Sequence, residues 1–373
     1  MYIKDLRLRN YRNYESLNIS FSPNINVFLG HNAQGKTNLL EAMYFLALTR
    51  SHRTSNDKDL IRWGSDFSRI SGLVIKDNTS KLKLDLVVSK SGKKAKLNNI
   101  EQRKLSSYIG NLNVVLFSPE DLSIVKGNPG IRRKFIDMEF GQISNQYLQT
   151  VSQFRSVLKQ RNAYLKKLQH HQSKDLVYLE VLSDQLAGYC AEVVRTRLDF
   201  LGKLQGHIEK IHDQISDHQE ILKIKYSSFY DSTDKTVENI YDIYKQAFKD
   251  NTQKEIQRGV TLFGPHRDDI KFLINDKNVQ DFGSQGQQRS VALSLKLAEV
   301  ELIKEQVGDY PVLLLDDVLS ELDQKRQTHL LSSIGNGIQT FITTTSLEDV
   351  DQKIVKNPNI LNITNGKVQQ EEI

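Results

Sequence analysis

Apolar and polar residues alternate at period two near the start of the chain. Leu6 and Leu8, then Leu17, Ile19 and Phe21, fall on every second position, as on half-buried strands. Residues 25–29 form a mostly apolar run, the pattern of a buried strand, and residues 38–47 follow as a helix. Leu82, Leu84 and Leu86 then alternate with Lys81, Lys83 and Asp85, and Ser91-Gly92 supplies a turn, which predicts a hairpin. From about residue 144 to residue 215 the period changes. Tyr147, Val151, Phe154, Leu158, Leu165 and Leu168 form one helical stripe, interrupted by Arg161. A polar break at residues 169–174 precedes a longer stripe from Leu182 through Leu186, Tyr189, Val193, Leu201, Leu204, Ile208 and Ile211 to Ile215. Two long helices joined by a short turn make an antiparallel arm, with a kink or extra packing expected in the longer one. Strand alternation returns at Leu222, Ile224 and Tyr226 and at Ile270, Phe272 and Ile274.

This order predicts an α/β head, residues 1–125, interrupted by a helical arm, residues 126–218, and resumed over residues 219–373. No internal repeat and no low-complexity tract breaks the order.

Composition narrows the class. With 373 residues, 38% hydrophobic and 26% charged, the chain reads as a soluble globular protein of about two domains. A net charge of +6 is a mild lean towards polyanions such as nucleic acid. The only cysteine, Cys190, excludes an internal disulfide and a thiolate-built metal site. No apolar run approaches the roughly 20 residues needed to span a bilayer, and the first residues lack a signal-peptide core, so a cytoplasmic location without a membrane partner is expected. Lys90, Lys93, Lys94 and Lys96 decorate the predicted hairpin, where they either blunt a sheet edge or meet phosphates. His170 and His171 at the arm tip read as solvated, and Cys190 as structural.

The chemistry concentrates in three segments. Gly30-His31-Asn32-Ala33-Gln34-Gly35-Lys36-Thr37 fits the phosphate-binding loop GxxxxGK[ST] between a strand and a helix. Gly30 and Gly35 let the backbone curl until its N–H groups face phosphate oxygens, and the helix N-terminus adds donors. Lys36 would reach the β- and γ-phosphates and the Thr37 hydroxyl a Mg²⁺ ion. Residues 311–317 form an apolar strand ending in Asp316 and Asp317. Asp316 would hold Mg²⁺ directly or through water, and Asp317 would orient and deprotonate an attacking water. Ser284-Gln285-Gly286-Gln287, at the start of a strong helix pattern over residues 290–307, is either a second anion site or a helix cap.

The order of these motifs, with Leu313-Leu-Leu-Asp-Asp-Val-Leu-Ser-Glu-Leu-Asp323, resembles the SMC-like ABC ATPase family. Residues 9–14, 35–41, 49–53, 117–121 and 264–269 extend that resemblance to its recombination branch over nearly the whole chain. It implies an ABC-type P-loop ATPase head with an antiparallel β lobe and an inserted helical arm. It also implies a weak DNA-stimulated ATPase that forms an ATP-dependent homodimer, binds double-stranded DNA and double-strand/single-strand junctions at gaps, and acts with RecO and RecR to load recombinase in gap repair, replication restart and the SOS response. Lys36 and Thr37 take the Walker A roles, and Asp316 and Asp317 the Walker B and catalytic-carboxylate roles. Ser284, Gln285, Gly286 and Gln287 take the signature that completes the partner's ATP site, and Ser320 and Asp323 the D-loop. Arg12 and Asn13 lie where related heads touch nucleotide.

Three departures from the general ABC pattern carry expectations of their own. Glu120 or Asp121 stands where transporters place a glutamine. Thr343, Thr344, Thr345 and Ser346 stand in place of a switch histidine. The catalytic carboxylate is one methylene shorter than glutamate, which predicts slow hydrolysis because positioning governs phosphoryl transfer. A transporter ATPase subunit is the competing reading; it would carry the switch histidine and a compact insertion. A P-loop kinase has no use for the signature turn, and a purely structural coiled coil leaves Lys36, Asp316 and Asp317 unexplained. For DNA the candidate cations are the hairpin lysines, Arg132, Arg133 and Lys134, and the arm-tip Lys166, Lys167 and Lys174.

Overall fold

Two sheets sandwich the helix that follows the phosphate-binding loop. The computed structural model describes residues 1–230, 236–334, 337–347 and 357–370. Its contacts sort into two units: Met1–Leu122, Lys210–Gln219 and Arg289–Ile373 form the first, Ser123–Glu209 and Glu220–Gln288 the second.

In the first unit a six-stranded sheet runs Lys367–Gln370, Asn359–Thr364, Ile25–Leu29, Thr340–Thr344, Val312–Asp316, Val114–Phe117. All neighbours are parallel except the Lys367–Gln370 edge. Val312–Asp316 and Thr340–Thr344 are buried at every position, which is why they read as continuous runs and not as alternation. Phe21, Phe28 and Phe341 pack edge-on and tilted under the sheet, with ring centroids 4.8 to 6.1 Å apart.

The second sheet is antiparallel, in the order Tyr14–Ser20, Tyr2–Tyr11, Phe67–Ile75, Lys81–Ser89, Gly92–Leu97, Ile100–Glu101. Between the sheets lies the helix Lys36–Leu48, which packs against strands of both. Leu39 through Leu48 are all buried, so this helix shows no polar stripe. Gly72 makes room for it, because a Cβ there would stand 2.5 Å from Leu46 Cδ2. At its C-terminus Lys93 Nζ donates to the carbonyl of Thr49 at 2.7 Å, pairs with Asp57 at 2.8 Å and lies over the Phe45 ring. A cation there completes the orphaned carbonyl end of the helix. Lys93 is therefore an inward anchor; Lys90 pairs with Asp66 and Lys94 with Glu101.

The arm helices are Asn145–Gln169 and the 40-residue Leu176–Ile215. Residues 220–288, expected in the resumed head, sort instead with the arm. They form a three-stranded antiparallel sheet, Lys277–Asn278, Asp269–Ile274, Leu222–Ser227, and the helices Val237–Asp250 and Thr252–Arg258. These elements supply the reason Arg161 interrupts its stripe. Fully buried, it donates to Glu255 at 2.6 Å, Thr261 at 2.8 Å and Ser183 at 2.9 Å, and it stacks 4.6 Å over Phe248. Arg132 and Arg133 are likewise structural. Arg132 is buried and bidentate to Asp269, and Arg133 donates to the Asp268 carbonyl. Cys190 is buried, which pushes its thiol well above the ordinary value. His170 and His171 are exposed. Among the described residues no helix is long and apolar enough to cross a membrane.

Candidate nucleotide site

The loop between Ile25–Leu29 and Lys36–Leu48 is fixed from behind by two distant segments. Gly30 has φ +157°, and a Cβ on it would stand 2.4 Å from the Ile363 carbonyl oxygen. Gln34 is held by its side-chain oxygen from the Asn365 N–H at 2.7 Å and by its carbonyl from the Gly366 N–H at 3.0 Å. Gly35, at φ +118°, has the Asn13 amide and the Tyr14 hydroxyl where a Cβ would go, and Tyr14 donates to the Gly35 carbonyl at 3.0 Å. Asn13 also donates to the Gln34 carbonyl at 3.2 Å. The loop residues His31, Asn32 and Ala33 are exposed.

The helix begins at Lys36, two residues earlier than the apolar pattern indicated, so Lys36 and Thr37 sit in its first turn. Lys36 Nζ donates to the carbonyls of Gly30 and His31 across the loop. Burial lowers its pKa, and Asp317 and Asp316 oppose that shift. Arg12 turns towards this helix. Its Nε and Nη2 donate to Glu41 at 2.9 and 2.7 Å, and its Nη1 to the Asp59 carbonyl at 3.0 Å. Glu41 is wholly buried; burial alone would raise its pKa, but Arg12 and Ser51 together hold it below the ordinary range. Arg12 thus braces the loop helix, while Asn13 contacts the loop itself.

Two strands away from the loop strand, Asp316 ends a buried run. Its Oδ1 accepts the Thr37 hydroxyl at 2.9 Å and the Thr343 hydroxyl at 3.0 Å. Burial raises its pKa, against these hydrogen bonds and the charge of Arg53; Glu120 acts in the same direction as burial. Asp317 is exposed at φ +56°, a left-handed conformation uncommon for aspartate, and its N–H donates to the Thr343 oxygen at 2.9 Å. One hydroxyl on the intervening Thr340–Thr344 strand therefore fixes both acids. The oxygen donors Thr37 and Asp316 suit a hard divalent cation, which takes few protein ligands when a substrate phosphate supplies the rest.

Several further contacts complete the site. Arg53 donates to Asn38, whose amide reaches Asn13, and Arg53 acts electrostatically on Asp316. Of the two candidate acids before the arm, Asp121 caps its own turn by accepting the Ser118 N–H at 2.8 Å, and Glu120 is the exposed one that acts on Asp316. The hairpin at Asn365-Gly366 had a legible signal, an Asn-Gly pair between apolar residues. For Arg53 no residue pattern announces the role; Thr343 stands where a switch histidine was expected, and its hydrogen bonds to both acids are what the sequence did not show.

The other expected residues are placed as follows. In the second unit, the Ser284 oxygen accepts the Gln287 N–H at 3.2 Å, the Gln287 side chain accepts the Ser284 N–H at 2.8 Å, and Gln287 donates to Glu220 at 2.8 Å. This is a reciprocal cap at the start of the Gln285–Val307 helix, in which Gln285 and Gly286 are the first residues. The cap uses an oxygen lone pair of Ser284 and leaves its hydroxyl proton to donate. In the first unit, Ser320 donates to the Asp317 carbonyl at 2.9 Å, and Asp323 caps the Gln324–Ser333 helix through the Arg326 N–H.

A family model described as the RecF/RecN/SMC N-terminal domain matches residues 2–368. The DNA replication and repair protein RecF of Latilactobacillus sakei subsp. sakei (strain 23K) is 57% identical over 374 residues, 100% of each chain. The protein of that name from Geobacillus sp. (strain WCH70) is 52% identical over 369 residues, 99% of this chain and 98% of that one. Among solved structures, the recombination mediator protein RecF-ATP in the RecFOR pathway is similar at TM-score 0.93 and 34% identity, over 100% of this chain and 98% of that one. An Smc head bound to the C-winged helix domain of ScpA shares the fold at TM-score 0.56 and 14% identity.

Proposed function

The chain belongs to the RecF/RecN/SMC N-terminal domain family, and from that premise we propose that it is an ATP-gated DNA-binding protein of recombinational repair. ATP closes two copies around a pair of nucleotides, and the closed dimer holds duplex DNA at gap junctions, where RecO and RecR are its partners in loading recombinase. The site of action is the nucleoid in the cytoplasm. The observation that carries the reading is the convergence of Thr37, in the first turn of the loop helix, with Thr343, Asp316 and Asp317 at the ends of two neighbouring strands.

In this reading the N–H groups of residues 30–37 wrap the phosphates, and Lys36 leaves the loop carbonyls to neutralise the terminal ones. Thr37 and Asp316 would hold Mg²⁺, which would supply charge neutralisation on the phosphates. Asp317 takes the proton of the attacking water as the terminal phosphoryl bond breaks, giving ADP and phosphate. Ser284 donates its remaining proton to the phosphate held by the other copy, with Gln285, Gly286 and Gln287 beside it. Ser320 and Asp323 shape the segment after Asp317 and transmit the state of one site to the other. The short aspartate makes hydrolysis slow, suited to a timed switch that DNA binding stimulates.

Sedimentation velocity with gapped and intact duplexes, with and without Mg·ATP, tests this. A dimer and a DNA complex that both require ATP are expected, together with loss of nucleotide binding in Lys36→Ala. Ser284→Arg should bind nucleotide yet stay monomeric; an ordinary ATP-dependent dimer from that variant refutes the shared site. The transporter-subunit reading predicts no ATP-linked shift on DNA.

A further inference from the structure

The outer face of the antiparallel sheet carries positive charge that the nucleotide site does not use. Strand Tyr2–Tyr11 buries Leu6 and Leu8 and leaves Arg7 and Arg9 exposed on the other side. Strand pairing extends this into cross-strand rows. Arg9 stands between Ser16 and Arg69, Arg7 between Asn18 and Ser71, and Asp5 between Ser20 and Leu73. The rows continue through Leu73 to Lys83, and through Ser71 and Asp85 to Lys96. A groove of about 380 Å³ runs across the face, lined by Asp5, Arg7, Arg9, Arg69, Ser71 and Lys83 among others.

The face also carries acids, and their partners are local. Asp85 is buried and takes Arg69 in a bidentate pair together with the Ser71 hydroxyl. Glu101 pairs with Lys94, and Asp5 accepts the Ser20 hydroxyl. Among the described residues, Arg7, Arg9, Lys83 and Lys96 have no carboxylate within ion-pair distance. Arg9 stands opposite Arg69, whose charge Asp85 answers, and lies 5.5 Å over the Phe67 ring with its own charge unanswered by a carboxylate. Lys96 stands in register between Asp85 and Glu101, whereas the exposed Arg7, Arg9 and Lys83 line the groove without a carboxylate partner, which fits a polyanion there.

We propose that this face grips the phosphate backbone of duplex DNA. The proposal rests on the DNA-binding reading above and adds where the chain performs it. Cations spaced about 7 Å along a strand and about 5 Å across it can each meet a backbone phosphate. Asn18 and Ser16 stand beside them in the rows and offer neutral donors that phosphate oxygens also accept. A groove fits a ridge of phosphates better than the flat array of head groups on a membrane. No base edge is read, so binding is independent of sequence and steeply dependent on salt.

The test is anisotropy of a labelled duplex with full-length protein and Mg·ATP over a potassium chloride series. Each phosphate contact contributes about 0.9 to the slope of log K against log salt, or about eightfold at 0.1 M. The triple variant Arg7→Gln, Arg9→Gln, Lys83→Gln should flatten the slope by up to about 2.7 and weaken binding up to about 500-fold at 0.1 M. Its binding of a fluorescent ATP analogue should be unchanged, which shows that the fold is intact. The same loss of charge at the arm tip, Lys166→Gln, Lys167→Gln, Lys174→Gln, should leave the slope as it is. A sheet-face variant with wild-type affinity and slope overturns the assignment, while the DNA-binding reading stands. A wild-type protein that binds no duplex with any nucleotide sinks both. Phosphatidylserine vesicles that sediment the wild type more tightly than the duplex does, and lose it in the triple variant, give the face to lipid and overturn the proposal.

Discussion

Replacing Thr343 with Val keeps the shape of a fully buried β-branched side chain and deletes one hydroxyl. That oxygen accepts the Asp317 N–H at 2.9 Å and donates to Asp316 at 3.0 Å. Losing the bond to a buried carboxylate costs about 1.5–3 kcal/mol, and the stranded N–H adds about 1–3 kcal/mol where water cannot replace the partner. Asp316 retains the Thr37 hydroxyl and Asp317 is exposed, so the lower part of that range applies, about 2 kcal/mol in all. The larger consequence is positional. Asp317 sits at φ +56°, and its N–H bond to Thr343 is one of the contacts that hold it there. A general base displaced by about 1 Å loses on the order of 100-fold in rate. Single-turnover hydrolysis of ATP should fall 10- to 100-fold in Thr343→Val, while binding of a fluorescent ATP analogue changes less than threefold. Thr343→Ser should recover most of the rate, because it restores the hydroxyl. Wild-type turnover by the valine variant would refute the idea that Thr343 positions Asp317. A serine variant as slow as the valine one would trace the loss to packing instead.

Three other outcomes follow from the same geometry. Gly30→Ala places a Cβ 2.4 Å from the Ile363 carbonyl at a φ that side chains avoid, so ATP-analogue binding should fall at least tenfold; unchanged affinity would show that the Asn359–Thr364 strand does not constrain the loop. Arg161→Ala leaves Glu255 charged and buried and should lower stability by about 3–5 kcal/mol, whereas Arg161→Met with Glu255→Leu should cost much less, and equal melting losses would contradict the pairing. Burial lowers His52 and His266 to about 4, from the ordinary 6.5. The unfolded chain therefore binds more protons between those values, and stability falls as pH drops from about 6.5 to 4, by up to about 3 kcal/mol for each histidine. Burial raises Asp268 to about 6, so over the lower part of that window it acts in the opposite sense. Thermal melts should therefore weaken on acidification from pH 7 to pH 5, and His52→Phe should reduce the slope; a slope unchanged by that substitution removes His52 as a source.

What the sequence disclosed tracks what is local. The loop at residues 30–37, the buried strand ending at Asp316 and the two arm helices each lie within one window of period or motif. The turn at residues 284–287 was legible as two alternatives, an anion site or a cap, and the Ser284–Gln287 hydrogen bonds make the cap. What stayed hidden depends on partners far along the chain. Arg161 looked like a flaw in a stripe because Glu255 stands 94 residues away. Residues 220–288 alternate as strands do, but alternation does not say which unit a strand joins. Lys93 sits among other lysines on a hairpin, and only the pleat shows that it faces the helix end while Lys94 faces solvent. Arg12 and Asn13 adjoin in sequence yet divide, one bracing the helix and the other the loop.

The strand Ile25–Leu29 lies between Thr340–Thr344 and Asn359–Thr364, and Gln34 is held by a residue 331 positions further on. During synthesis at about 5–20 residues per second, the start of this chain therefore waits roughly 15–65 s for both neighbours of its central strand to leave the ribosome. Throughout that interval Val27 and Phe28 lack their sheet, and the loop lacks the backing that gives it its curl. A nascent head should be a chaperone client whose ability to bind ATP switches on only once residues 359–366 have emerged. Nucleotide binding by stalled chains of graded length would then behave as a step at the last strands, not as a gradual rise.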